Sequence, residues 1–84
     1  MKQYLAKISV LPIKEILDPQ GKAVMLGLNN LGVSGVQDIR VGKQIEMKLS
    51  ANSTDDAKKQ VETACQKLLA NLIMEYYEFE IAEL

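Results

Sequence analysis

The chain contains no histidine. That removes the side chain most used as a general base and metal ligand, and with it every Ser-His or Cys-His nucleophile. What remains is sparse: a single cysteine, Cys65; an aspartate, Asp18, set before a proline; and the charged group Arg40, Lys43 and Glu46. No Cys-x-x-Cys pair, EF-hand loop or Walker A pattern occurs, and Gly32, Gly35 and Gly42 lack the spacing of a dinucleotide-binding turn. The chemistry expected of these residues is recognition by charge and hydrogen bonding rather than bond breaking.

Each candidate has a structural reading beside the functional one. Cys65 falls on the apolar face of a helical segment, where a buried, inert thiol is the better reading; reactive cysteines need an exposed, electropositive setting. Asp18 could be a catalytic acid, but as the residue before Pro19 it suits a helix N-cap, its carboxylate accepting a backbone N–H. Arg40 and Glu46 share one parity, opposite to their apolar neighbours, and so stand on an exposed sheet face. Lys43 falls on the apolar parity and needs a bend near Gly42, or a carboxylate or phosphate on a partner, to account for it.

These charges sit in the run Val36–Leu49, VQDIRVGKQIEMKL, where Ile39, Val41, Ile45, Met47 and Leu49 are all odd-numbered. A strand alternates faces with period two, so one parity means one face. The preferred reading is one strand of fourteen residues, bent at Gly42. It would span roughly 45 Å, against a diameter of order 30 Å for a domain of this length. Such a strand overhangs its own subunit, and its unpaired edge calls for a partner. A two-residue hairpin loop at Gly42-Lys43 would turn Ile45, Met47 and Leu49 to the wrong face. A three-residue loop, Gly42-Lys43-Gln44, remains the alternative, although that loop type favours glycine last.

The flanking elements follow from local signals. Residues 3–11 alternate, with Tyr4, Ala6, Ile8 and Val10 on one face, and Pro12 ends that strand. Asp18-Pro19-Gln20-Gly21 opens a helix carrying Val24, Leu28 and Leu31, which Gly32 stops. Met25 flanks that apolar face and Leu26 lies on its far side, so the helix either exposes scattered apolar residues or offers a partner surface. Ser53 with Asp56 has the spacing of a capping pair before a second helix. Ala57, Val61, Ala64, Cys65 and Leu68, extended by Leu72, form its apolar face, and Ala70-Asn71 ends it. Tyr77, Phe79 and Ile81 then alternate with Glu78 and Glu80 in a last strand.

The predicted fold is α+β: a two-layer sandwich of an antiparallel sheet with two helices on one face, in the order β-α-β(long, bent)-α-β. It is related to the ferredoxin-like arrangement and would share an intersubunit sheet in a dimer. Residues 1–84 make one domain. A net charge of −1 gives no nucleic-acid footprint. With one cysteine, no run of ~18 apolar residues and no signal-like start, the expectation is a cytoplasmic protein away from membranes.

Taken in order, the residues resemble a known family. Val10-Leu11-Pro12 and Ile16-Leu17 lead into Asp18-Pro19-Gln20-Gly21-Lys22-Ala23. Leu28, Leu31-Gly32 and Val36 follow, then Ile39-Arg40-Val41-Gly42-Lys43 with Glu46, then Cys65, Leu68-Leu69-Ala70-Asn71 and Glu75. In this order and spacing the chain resembles PurS, the small subunits of multi-subunit phosphoribosylformylglycinamidine synthase. One departure is Leu72, where the family usually has proline. The resemblance implies a non-catalytic bridge in de novo purine biosynthesis, acting as a homodimer or a tetramer. Its partners would be a glutaminase subunit and a large synthetase subunit, with ATP and Mg on the synthetase and no cofactor on this chain. Asp18, Gln20, Lys22, Arg40, Lys43 and Glu46 would then position partners, while Pro19, Gly21, Gly32, Gly42 and Cys65 are structural. A ferredoxin-like, dimeric small-molecule-binding regulatory domain is the alternative reading, because such architectures host many functions.

Overall fold

Strand β1 (Lys2–Pro12) lies at the centre of the sheet, and its alternation explains why. Tyr4, Ala6, Ile8 and Val10 are buried, while Lys7 and Ser9 on the other face are exposed. In the computed structural model, which describes residues 1–13 and 18–84, β1 is flanked by β2 (Lys43–Ala51) and β3 (Glu75–Glu83), both antiparallel to it. The registers set Ile8 between Ile45 and Phe79, and Ala6 between Met47 and Ile81. One sheet face is therefore apolar throughout. On the other, Lys7 stands between Glu46 and Glu80. Ile16 and Leu17, part of the family resemblance, lie outside the described residues.

Helix α2 (Thr54–Ala64) covers the apolar face. Ser53 Oγ accepts the Asp56 N–H at 3.1 Å, and Asp56 Oδ2 accepts the Asn52 N–H at 3.1 Å, so the capping pair forms as its spacing predicts. Ala57, Val61 and Cys65 recur every four residues and are wholly buried. Val61 and Cys65 belong to one core cluster with Ala6, Ile8 and Val10; Ala57 joins Tyr4 and Ala51 in a second. Small residues on the helix let it sit close over β1.

The α-helix does not run on to Ala70 as expected. It passes at Cys65–Leu69 into a π-turn, closed by the Ala70 N–H on the Cys65 carbonyl at 3.0 Å. The wider turn keeps Leu69 on the Cys65 face and swings Leu68 away from it. Leu69 packs against the core and Leu68 is 82% exposed, which corrects the apolar face drawn through Leu68.

The long-strand expectation is also corrected, and so is its hairpin alternative. Only the second half of the run is strand; residues 33–42 have no regular secondary structure. The cause lies in β1. Its pairing with β2 ends at Val10 opposite Lys43, and two residues further along β1 the register meets Pro12, which has no donor to offer Val41.

Helix α1 (Pro19–Asn30) starts at an Asp18 N-cap with Pro19 at its first position, and Gly32 at φ +86° takes the left-handed conformation that ends it. Unlike α2, it has no extensive packing against any strand among the described residues. Its apolar residues are open: Val24 is 45%, Leu26 63% and Leu31 81% exposed. The chain is consequently elongated, 52 × 26 × 14 Å, with a radius of gyration of 16.4 Å, against about 12 Å for a compact chain of this length.

Candidate functional site

The start of α1, the end of β1 and the segment before β2 converge on Asp18. Its Oδ1 accepts the Gly21 N–H at 3.1 Å, the capping bond, and its Oδ2 accepts the Val41 N–H at 2.8 Å. These N–H groups, Val41 foremost, hold the Asp18 carboxyl below its ordinary value of 3.8, with Arg40 adding a smaller pull and burial opposing. Arg40 lies one residue away. Its Nη1 donates to the Pro12 carbonyl at 2.7 Å and its Nε to Asp38 Oδ2 at 3.3 Å. The carbonyl of Pro12, which ends the regular pairing of β1, is thus taken by a side chain.

Two glycines allow this convergence. A Cβ on Gly21 would run into the Ile39 carbonyl, and one on Gly42 into the Val10 carbonyl. Both are backbone-to-backbone approaches, so the structural role read for Gly21 and Gly42 has a physical basis. Cys65 is buried as expected; burial first, and then Glu62, push its thiol above the ordinary 9.0. Glu62 also accepts the Tyr77 hydroxyl and Gln66 Nε2, linking α2 to β3.

A hollow of about 410 Å³ opens beside Asp18. Pro12, Asp18, Pro19, Gln20 and Val41 line one side, and Asn71, Met74 and Glu75 the other. The second wall is a turn knotted around Asn71. Its N–H donates to Glu75 Oε1 at 2.8 Å, its Oδ1 accepts from Ile73, and its carbonyl from Met74 and Glu75. The Ile13 N–H donates to the Met74 carbonyl at 3.0 Å and ties that turn to β1. Leu68, Leu72, Ile73 and Met74 around this turn are 82%, 53%, 83% and 46% exposed.

Of the six residues expected to meet partners, Asp18 and Gln20 line the hollow and Arg40 braces its rim. Lys22 is exposed on α1. Lys43 is exposed at the first position of β2, and Glu46 stands on the polar sheet face opposite Lys7. Asn71, Met74 and Glu75 were not among the expected site residues, although Asn71 and Glu75 carry part of the family resemblance. Among the described residues no group of three or more His, Cys, Asp or Glu could hold a metal. Both carboxylates at the hollow already accept backbone N–H groups, so the arrangement fixes a shape and offers a mixed polar and apolar surface.

The sequence matches the family model for PurS, phosphoribosylformylglycinamidine (FGAM) synthase, over residues 5–83. It is 44% identical over 81 residues to the FGAM synthase subunit PurS of Synechocystis, covering 96% of this chain and 81% of that one. To the Bacillus subtilis PurS it is 39% identical over 80 residues, covering 95% and 94%. Among solved structures, Thermus thermophilus PurS superposes with a TM-score of 0.86 at 38% identity, covering 98% of both chains. A chain of the PurLQS structure from Thermotoga maritima superposes with a TM-score of 0.84 at 30% identity over the whole of both.

Proposed function

The chain belongs to the PurS family of FGAM synthase subunits, and from that premise we propose that it is the non-catalytic bridge of the synthase. It would hold a glutaminase subunit and a large synthetase subunit together, as part of a cytoplasmic complex. The reaction converts formylglycinamide ribonucleotide to formylglycinamidine ribonucleotide, with ATP and Mg on the synthetase and ammonia supplied from glutamine. Ammonia is mostly protonated at neutral pH and escapes by diffusion, so the two sites gain from being held in register.

The observation that carries this reading is how Asp18 is used. The one acidic side chain centred in the site is committed to two backbone N–H groups and serves to set the angle of α1. What α1 then presents is apolar surface, not a reactive group. The relative from Thermotoga maritima is a chain of the PurLQS structure.

The same surface supports a homodimer. The chain exposes 6080 Å², whereas a folded monomer of 9.3 kDa exposes roughly 5,000 Å². The excess, roughly 1,100 Å², is comparable to the ~800 Å² that one partner contributes to a standard interface.

Reconstitution tests the bridge. The chain is mixed with matching glutaminase and synthetase subunits, ATP, Mg and substrate, and product is measured with glutamine and with ammonium. Product that needs this chain with glutamine but not with ammonium is the expected result. Equal product in its absence overturns the reading.

A further inference from the structure

The hollow beside Asp18 is lined by two carboxylates, Asp18 and Glu75, both half-buried and standing on its two walls. No lysine or arginine lines it. Asp18 accepts the Gly21 and Val41 N–H groups, and Glu75 Oε1 accepts the Asn71 N–H. An ionised carboxylate has about four acceptor positions, so both keep unused capacity. Among the described residues no side chain donates to either. Asp18 stays charged across the neutral range, because its N–H partners hold the carboxyl below its ordinary value.

The rest of the lining is largely apolar. Pro12, Pro19, Val41 and Met74 supply it, and Leu72 and Ile73, next to Met74 in the same turn, are 53% and 83% exposed. An anionic centre within an apolar rim selects its occupant. A phosphate or carboxylate is repelled, and a bare metal ion leaves the apolar walls uncovered. A lysine ammonium is a compact point charge. An arginine carries five N–H donors in a planar fork, reaches two carboxylates at once, and lays its flat face and stem on apolar surface. Arginine is also prominent among the residues that anchor interfaces, where surrounding contacts exclude water from it. The volume, about 410 Å³, is that of a pocket for a small group, ~300–1,000 Å³.

The occupant belongs to a different chain. Arg40 is the single arginine of this sequence, and it is already engaged, with Nη1 on the Pro12 carbonyl and Nε on Asp38. A second copy has none to give.

We propose that the hollow between Asp18 and Glu75 is a socket for an arginine side chain of a non-identical subunit. The guanidinium sits between the two carboxylates, and Leu72, Ile73 and Met74 seal it from water. This rests on the bridging reading above and names the chemistry by which the bridge holds a partner.

Substitution at Glu75 tests the socket in the synthase reconstituted from purified subunits. Glu75→Gln keeps the oxygen that accepts the Asn71 N–H and removes the charge. The concentration of this chain needed for half-maximal glutamine-dependent product should rise about tenfold. Glu75→Lys puts a cation into the socket and should raise it about a hundredfold. Ile73→Ser, at an exposed position whose change leaves the fold intact, should raise it severalfold even if the Glu75 variants melt lower. A benzoylphenylalanine photo-cross-linker in place of Ile73 then identifies the occupant. It should attach to an arginine-containing peptide of the glutaminase or synthetase subunit. Replacing that arginine with glutamine should weaken wild type but add nothing to Glu75→Gln. Attachment to a second copy of this chain, or additive effects of the two changes, overturns the proposal. Product that needs the chain but is indifferent to Glu75→Gln and Glu75→Lys overturns the socket and leaves the bridge standing. Product that does not need the chain overturns both.

Discussion

The Asp18 carboxylate accepts the Val41 N–H at 2.8 Å, joining the first residue of the α1 cap to a residue 23 positions later. The same carboxylate accepts the Gly21 N–H at 3.1 Å. One side chain therefore both starts the helix and fixes where the chain returns to the sheet. Since α1 lacks extensive packing against the strands, this link and the Arg40 to Pro12 bond do much of the work of orienting it.

Asp18 makes stability depend on acid. The N–H groups of Val41 and Gly21 hold its carboxyl below the ordinary 3.8, so on acidification the unfolded chain takes up the proton before the folded one. The Asp18 contribution is complete above pH 3.8 and is lost as pH falls through the folded value. Asp18→Asn keeps one acceptor and loses the charge, so it should melt below wild type at neutral pH. The gap should be constant from about pH 5 to 8 and close in strong acid. Thermal melts of both proteins across pH check this, and a gap that widens in acid contradicts it.

Two glycines in α1 should respond with opposite sign. A Cβ on Gly21 meets the backbone carbonyl of Ile39, which cannot swing aside, and crowds the Asp18 carboxylate. Gly21→Ala should cost about 1–3 kcal/mol, as overpacking does. Gly27 has open space around its would-be Cβ, so Gly27→Ala should gain about 0.5–1 kcal/mol from helix propensity. Urea midpoints for the two variants decide the matter, and equal shifts would remove the close approach as the reason for glycine at position 21.

Much of this arrangement is legible in local sequence. Asp18-Pro19 and Ser53 with Asp56 mark helix starts because a cap needs only residues three apart, and Gly32 marks a stop because only the residue itself must turn left-handed. The alternation in β1 and β3 reports a face, and the faces are as read. What was not legible depends on partners distant in the chain. Residues 36–42 carry strand periodicity, but Pro12 withholds a donor from Val41 and the Asp18 carboxylate takes its N–H instead. Asn71, Met74 and Glu75 reach the hollow because Pro12 pairs with Glu75 in the β1–β3 register, a contact that no local pattern announces. The π-turn escapes helical periodicity altogether, since that reading assumes an unchanged turn width.

Alkali should unfold the protein through Cys65 and Tyr77. Burial raises the thiol above 9.0, and the hydrogen bond to Glu62 raises the phenol above 10.0. Raised acids in the folded state bind protons that the unfolded state releases. Stability is therefore unaffected below pH 9.0 and falls as pH climbs beyond it, with a further fall beyond 10.0. Tyr77→Phe should remove the second fall and leave the first. In the folded protein a thiol reagent at pH 8 should label Cys65 slowly, with complete labelling in urea. Rapid labelling without denaturant would mean the helix face over β1 opens far more readily than its burial indicates.

Leu68 and Leu69 are adjacent and chemically identical, yet the π-turn gives them opposite surroundings. Leu69 packs against the cluster of Ile8, Val10 and Cys65, whereas Leu68 is 82% exposed. Leu69→Ala removes apolar area that folding takes from water and should cost about 1–2 kcal/mol, the range for a partly buried leucine. Leu68→Ala should fall within about 0.5 kcal/mol of wild type, as surface changes do. An ordinary α-helix through this segment would bring Leu68 nearer the face of Cys65 and narrow the difference. Chemical denaturation of the two variants therefore reads the turn directly. If Leu68 docks on a partner subunit, its truncation should leave the isolated chain unchanged and weaken only the reconstituted complex, measured by the concentration of this chain needed for half-maximal glutamine-dependent product.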